Sequence, residues 1–136
     1  MLIAVSVKNT EESSLLSDSF GRSKYFLIYD SLKSRFEFIK NPYYLELGGA
    51  GIQTARFLIE QKVEAIITTF IGPNILRFFN SSQVKVYKSV NKTLQESLKL
   101  FFENKLDELT KDINLKRQRR RFGWESKYFN DTEGKN

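Results

Sequence analysis

The stretch GGAGIQTARFLIEQKVEAIITTFIGPN, residues 48–74, decides how this chain folds. Ile52, Ala55, Leu58 and Ile59 recur at three- and four-residue spacing, which places them on one apolar face of a helix. Ala65 to Thr69 follow as a largely β-branched run, the pattern of a buried strand. Ile71, Gly72, Pro73 and Asn74 then turn the chain, and Ile75, Phe78 and Phe79 return to helical spacing with Pro73 near the first position. Helix, buried strand and helix in succession imply parallel strands joined by crossovers.

Upstream, Leu2, Ile3, Ala4, Val5 and Val7 form a nearly continuous apolar run, expected at the centre of a sheet. Residues 9–19 are polar and read as a loop leading to Phe20, Gly21 and Arg22. Lys24–Tyr29 and Arg35–Ile39 are aromatic and β-branched, with Asp30, Ser31, Lys33 and Ser34 between them, so they predict an antiparallel hairpin. Asn41 and Pro42 break regular structure ahead of the glycines. Downstream, Val84, Val86 and Tyr87 supply a last strand. Thr93 and Glu96 have capping-box spacing, and Leu94, Leu98, Phe101 and Phe102 predict a final helix running from about residue 92 to 109.

This order of elements predicts an α/β domain: a five-stranded mixed sheet with helices on both faces, in a ribonuclease H-like motif. The domain is expected to span residues 1–112. Residues 1–110 carry 14 Lys/Arg against 12 Asp/Glu, whereas residues 111–136 carry 8 against 4, so a basic C-terminal tail is expected over 113–136. Lys116, Arg117, Arg119, Arg120, Arg121 and Trp124 in that tail offer phosphate contacts and stacking to nucleic acid, or charge to an acidic protein. The bland reading of the tail is a solvated chain end.

The chain has no cysteine and no histidine. That removes disulfides, thiolate nucleophiles, Cys-ligated clusters, the usual zinc sites and a Ser-His-Asp triad. No apolar run approaches the roughly 20 residues that span a bilayer, and no signal peptide is visible, so a cytoplasmic protein without membrane contact is expected. The carboxylates Asp30, Glu37 and Glu64 are scattered, with no cluster suited to two-metal phosphoryl chemistry.

Gly48, Gly49, Ala50 and Gly51 open a helix whose first N–H groups favour an anion, and Gly72 and Asn74 follow the next parallel strand. Both loops should therefore reach the carboxyl edge of the sheet, with Arg22 as counter-charge. The same glycines also suit a tight turn with no ligand. The aromatic residues read mainly as core; doubled Phe78–Phe79 and Phe101–Phe102 signal burial or contact with a second copy.

Taken together, LIAVSV, SDSFGRSKYFLIYD and the 48–74 segment resemble the dinitrogenase iron-molybdenum cofactor biosynthesis family, also called nitrogenase accessory factor-like, over about residues 1–106. The resemblance implies a ribonuclease H-like fold and a non-catalytic accessory role: binding or delivering an iron-sulfur or iron-molybdenum cluster. It directs attention to Ser19, Phe20, Gly21 and Arg22 beside the glycine loops. Where the family pattern commonly carries a histidine, this chain has Ser19. The alternative reading is a scaffold or regulatory module that binds nucleic acid or an acidic protein through its basic tail.

Overall fold

The computed structural model describes residues 1–46 and 48–110. The strands are β1 (Leu2–Val7), β2 (Tyr25–Asp30), β3 (Arg35–Lys40), β4 (Ala65–Thr68), β5 (Lys85–Lys88) and β6 (Asp107–Leu109); the α-helices are α1 (Ala50–Glu60), α2 (Pro73–Ser81) and α3 (Leu94–Phe102). All strands join one sheet in the order β3-β2-β1-β4-β5-β6. β1, β4 and β5 run parallel, while β2 pairs antiparallel to β1 and β3 antiparallel to β2.

The central position of β1 and β4 follows from their apolar runs. Ile3, Ala4, Val5, Ile66 and Ile67 are wholly buried, because alternate side chains face different helices. Ala4, Ile66 and Val86 pack under Ala55 and Leu58 of α1 and Leu76 and Phe79 of α2. Ile3, Val5 and Ile67 pack on the other face, under Leu94, Leu98 and Phe101 of α3. Helices therefore cover both faces, as the sequence predicts. The polar side chains in these strands are matched: Ser6 Oγ donates to Thr68 Oγ1 at 2.9 Å, tying β1 to β4 inside the core.

The sheet has six strands where the sequence predicts five, and the last helix ends at Phe102 rather than near residue 109. Asn104 causes the difference. It adopts φ 59°, and the N–H groups of Asn104 and Lys105 donate to Phe101 O and Leu100 O, closing a Schellman motif. The chain then reverses, and Leu109, nearly buried, pairs with Val86 as the edge strand β6. Without a glycine at the left-handed position, the leucines at 98, 106 and 109 look like a continued helical stripe.

α1 and α2 end the same way, with Lys62 (φ 70°) and Gln83 (φ 63°) in the left-handed position. Val63 N–H donates to Leu58 O and Val84 N–H to Phe79 O. A side chain in this region costs about 1–2 kcal/mol, partly offset by its smaller unfolded-state entropy. Lys62→Gly and Gln83→Gly should therefore each raise stability by about 0.5–1 kcal/mol in urea denaturation, and an unchanged or lower midpoint would argue against this end geometry.

The capping box at α3 is formed. Thr93 Oγ1 accepts from Glu96 N–H at 3.2 Å, and the Glu96 carboxylate accepts from Thr93 N–H at 2.8 Å. That backbone donor holds the Glu96 carboxyl below its ordinary value. A carboxyl with a lowered folded pKa stabilises the fold above its unfolded pKa and loses that contribution as pH falls through the folded one. Protection of the Thr93 amide, its exchange rate taken relative to the intrinsic rate at each pH, should therefore fall in acid in the native chain. In Glu96→Gln, which does not titrate, that acid dependence should vanish.

Candidate anion-binding cleft

Phe20 begins a 3-10 turn, Phe20–Arg22, directly after the polar loop. Its ring is wholly buried, with centroids 5.6 Å from Phe26 and 5.3 Å from Phe79. Its N–H donates to Phe70 O at 2.8 Å, in the loop after β4. Thr69 Oγ1 donates to Ser17 O at 2.7 Å, and Ser17 Oγ donates to Ser19 O at 2.8 Å. The loops that leave β1 and β4 are thus bound to each other at the carboxyl edge of the sheet.

α1 reaches that edge through Gly48 (φ 67°) and Gly49 (φ 73°), a left-handed pair that glycine adopts without penalty. A Cβ at either position would meet nothing within 4 Å, so the demand there is conformational and both glycines face open space. Gly51 is constrained differently. A Cβ on it would overlap Ile75 Cδ1 and lie 3.1 Å from Ile75 Cγ1, and Gly21 comes so near that its own Cβ would sit 3.8 Å from Gly51 Cα. Glycine at 51 lets α1 close on the Ile75 side chain of α2, while the 3-10 turn at Gly21 lies in ordinary contact with Gly51.

The segment before the glycines is fastened by buried Asn41. Its Nδ2 donates to Ser23 O at 2.9 Å, while its Oδ1 accepts from Tyr43 N–H at 2.9 Å and from Thr54 Oγ1 of α1 at 3.2 Å. In the sequence, Asn41 reads only as a breaker.

The result is a cleft of about 330 Å³ lined by Ser19, Gly21, Arg22, Glu46, Gly48, Gly49, Ala50, Gly51, Phe70, Gly72 and Ile75. α1 and α2 both start here, with no side-chain cap and no acidic residue in the first turn. Their leading N–H groups and positive dipole ends are therefore left for something else to satisfy. Arg22 adds a full positive charge; Glu46 adds a negative one.

Of the residues singled out from the sequence, Ser19, Gly21, Arg22, Gly48, Gly49, Ala50, Gly51 and Gly72 line this one cleft. Phe20 lies beneath it in the core, and the side chain of Asn74 caps Arg77, accepting from its Nη1 at 3.0 Å. Glu46, Phe70 and Ile75 escaped the sequence reading as site residues; Phe70 is 57% exposed although it lies between β4 and the buried Ile71. Lys116, Arg117, Arg119, Arg120, Arg121 and Trp124, and the expected domain boundary at residue 112, lie outside the described residues. Among the described residues no three His, Cys, Asp or Glu side chains gather to hold a metal ion, and no helix is long and apolar enough to cross a membrane.

The family described as dinitrogenase iron-molybdenum cofactor matches residues 1–104, which takes in every element that builds the cleft. The chain belongs to that family. An uncharacterised protein of Methanocaldococcus jannaschii is 32% identical over 111 residues, covering 79% of this chain and 90% of its own. The NMR structure of a Thermotoga protein described as NifB-like and placed in the DUF35 family is 32% identical, with a TM-score of 0.71 over 80% of this chain and 93% of that one. The apo form of the orange protein from Desulfovibrio gigas shares the fold at 22% identity, with a TM-score of 0.75 over 79% of this chain and 92% of that one. The family is of a cofactor-binding or accessory type, and the residues beyond 104, β6 among them, lie outside the match.

Gly51→Ala should cost about 1 kcal/mol, because Ile75 must move aside. Combined with Ile75→Val, which removes the overlapping Cδ1, the loss should shrink, and a double-mutant cycle should give a coupling of about 0.5–1 kcal/mol. Strict additivity would mean that α1 and α2 do not meet at these residues.

Proposed function

We propose that the cleft holds a small polyanion, a metal–sulfur or metal–oxygen complex that carries its own ligands, and that the chain is a carrier in cofactor assembly without catalytic turnover. The observation that carries this reading is the convergence of two uncapped helix N-termini and Arg22 on one cleft. Membership of the family supplies the class of cargo. The strand order β3-β2-β1-β4-β5, with β2 antiparallel, agrees with a ribonuclease H-like motif, and β6 is an addition at its edge.

The donor set decides how such cargo would be held. Iron and molybdenum in protein clusters are bound directly by soft or imidazole ligands, and this chain has no Cys or His. Its residues therefore do not fit direct ligation. They do fit outer-sphere contact, in which backbone N–H groups and the Arg22 guanidinium donate to peripheral sulfide or oxide of an anion. Phe70 and Ile75 give the cleft an apolar wall that limits water around those contacts. Glu46 opposes the anion and weakens its hold, as suits a carrier that must release its load.

The test is an anaerobic titration of the full chain with molybdate and with tetrathiomolybdate, followed by calorimetry. One equivalent of at least one anion should bind. Arg22→Ala should weaken binding about ten- to a hundredfold, and Glu46→Gln should tighten it. No binding of either anion, or identical binding by native protein and Arg22→Ala, would contradict the proposal.

A further inference from the structure

The two edges of the sheet differ in a way the cleft does not explain. β6 is only three residues long and so offers little template for pairing. β3 is six residues long, pairs one for one with β2 from Arg35 to Lys40, and contains no proline. Asn41 N–H, one residue beyond it, donates inward to Lys24 O at 2.8 Å. The alternation of a strand then directs the N–H and C=O of Arg35, Glu37 and Ile39 towards β2, and those of Phe36 and Phe38 away from the sheet. Regular, outward-facing backbone of this kind invites another strand.

We infer that β3 pairs antiparallel with β3 of a second copy of this chain, about a two-fold axis through Phe36. Charge selects that register. Centred on Phe36, it sets Arg35 opposite Glu37 of the second copy, twice by symmetry, in the non-hydrogen-bonded pairs where side chains lie closest. Centring on Glu37 would oppose two carboxylates. Centring on Phe38 would place Glu37 against an isoleucine and leave Arg35 without an acidic neighbour. Arg35 and Glu37 are both exposed, and neither has an ion pair or hydrogen-bonded side-chain partner among the described residues.

The distribution of exposed apolar side chains agrees. Met1 (42%), Leu32 (86%), Phe36 (47%) and Phe102 (49%) gather at the end of the β2–β3 hairpin. Met1 O accepts from Ser31 N–H at 3.0 Å, and the Phe102 ring lies 5.8 Å from that of Tyr29, which pairs with Phe36. An axis through Phe36 brings these residues near their copies, whereas an axis through Phe38 moves them apart. The cleft lies at the opposite, carboxyl edge of the sheet, so the pairing leaves it open and does not rest on what it binds.

Sedimentation equilibrium of the full chain tests this. The native chain should form a reversible dimer. Glu37→Arg and Arg35→Glu should each weaken it about tenfold or more, and the double charge swap R35E/E37R should restore it. Unchanged far-ultraviolet circular dichroism of the single variants would verify their folding. A native chain that stays monomeric throughout its soluble range would overturn the inference, as would a dimer indifferent to Glu37→Arg or one that the double swap fails to recover.

Discussion

The Phe20 ring is locked between Phe26 and Phe79 while its N–H donates to Phe70 O, and the whole carboxyl edge of the sheet depends on that double attachment. The ring supplies apolar burial, and the backbone bond joins the loop after β1 to the loop after β4. Gly21 can then lie against Gly51, and the first turn of α1 is carried to the first turn of α2. A truncated side chain at 20 would cost about 3–5 kcal/mol as a cavity and would also free the loop bearing Ser19 and Arg22.

The chemistry of the cleft follows from what its builders leave unmatched. Gly48 and Gly49 give open backbone at the start of α1, Pro73 begins α2 without an N–H of its own, and neither helix supplies a side-chain cap. Partial positive charge accumulates at one place for reasons of backbone geometry alone. Such a site needs no thiolate or imidazole to attract an anion, which reconciles membership of a cofactor family with a chain devoid of Cys and His. The two proposed roles would be separated in space, because the cleft and the β3 edge belong to different margins of the sheet.

The fold was legible wherever side-chain periodicity and turn chemistry agreed. β1 declared itself by a nearly continuous apolar run, β4 by a β-branched one, the hairpin by its polar turn, and α3 by the Thr93–Glu96 capping box. β6 was hidden because Asn104 ends α3 in a left-handed conformation without the glycine that usually marks it. For the cleft, clustered glycines and the Phe-Gly-Arg turn announced eight of its lining residues. Phe20 and Asn74 carry the same local signal yet serve other ends, one as a core anchor and one as a partner for Arg77. Glu46, Phe70 and Ile75 gave no signal, since their proximity comes from long-range packing that no local spacing records.

The most direct measurement of the central claim is an amide NMR titration of the full chain with tetrathiomolybdate. The account predicts saturable shifts concentrated at the N–H groups of Gly49, Ala50, Gly51, Asn74 and Ile75, with Arg22 side-chain signals moving in step. Shifts confined to the basic residues beyond 110, or spread evenly over surface lysines, would contradict it.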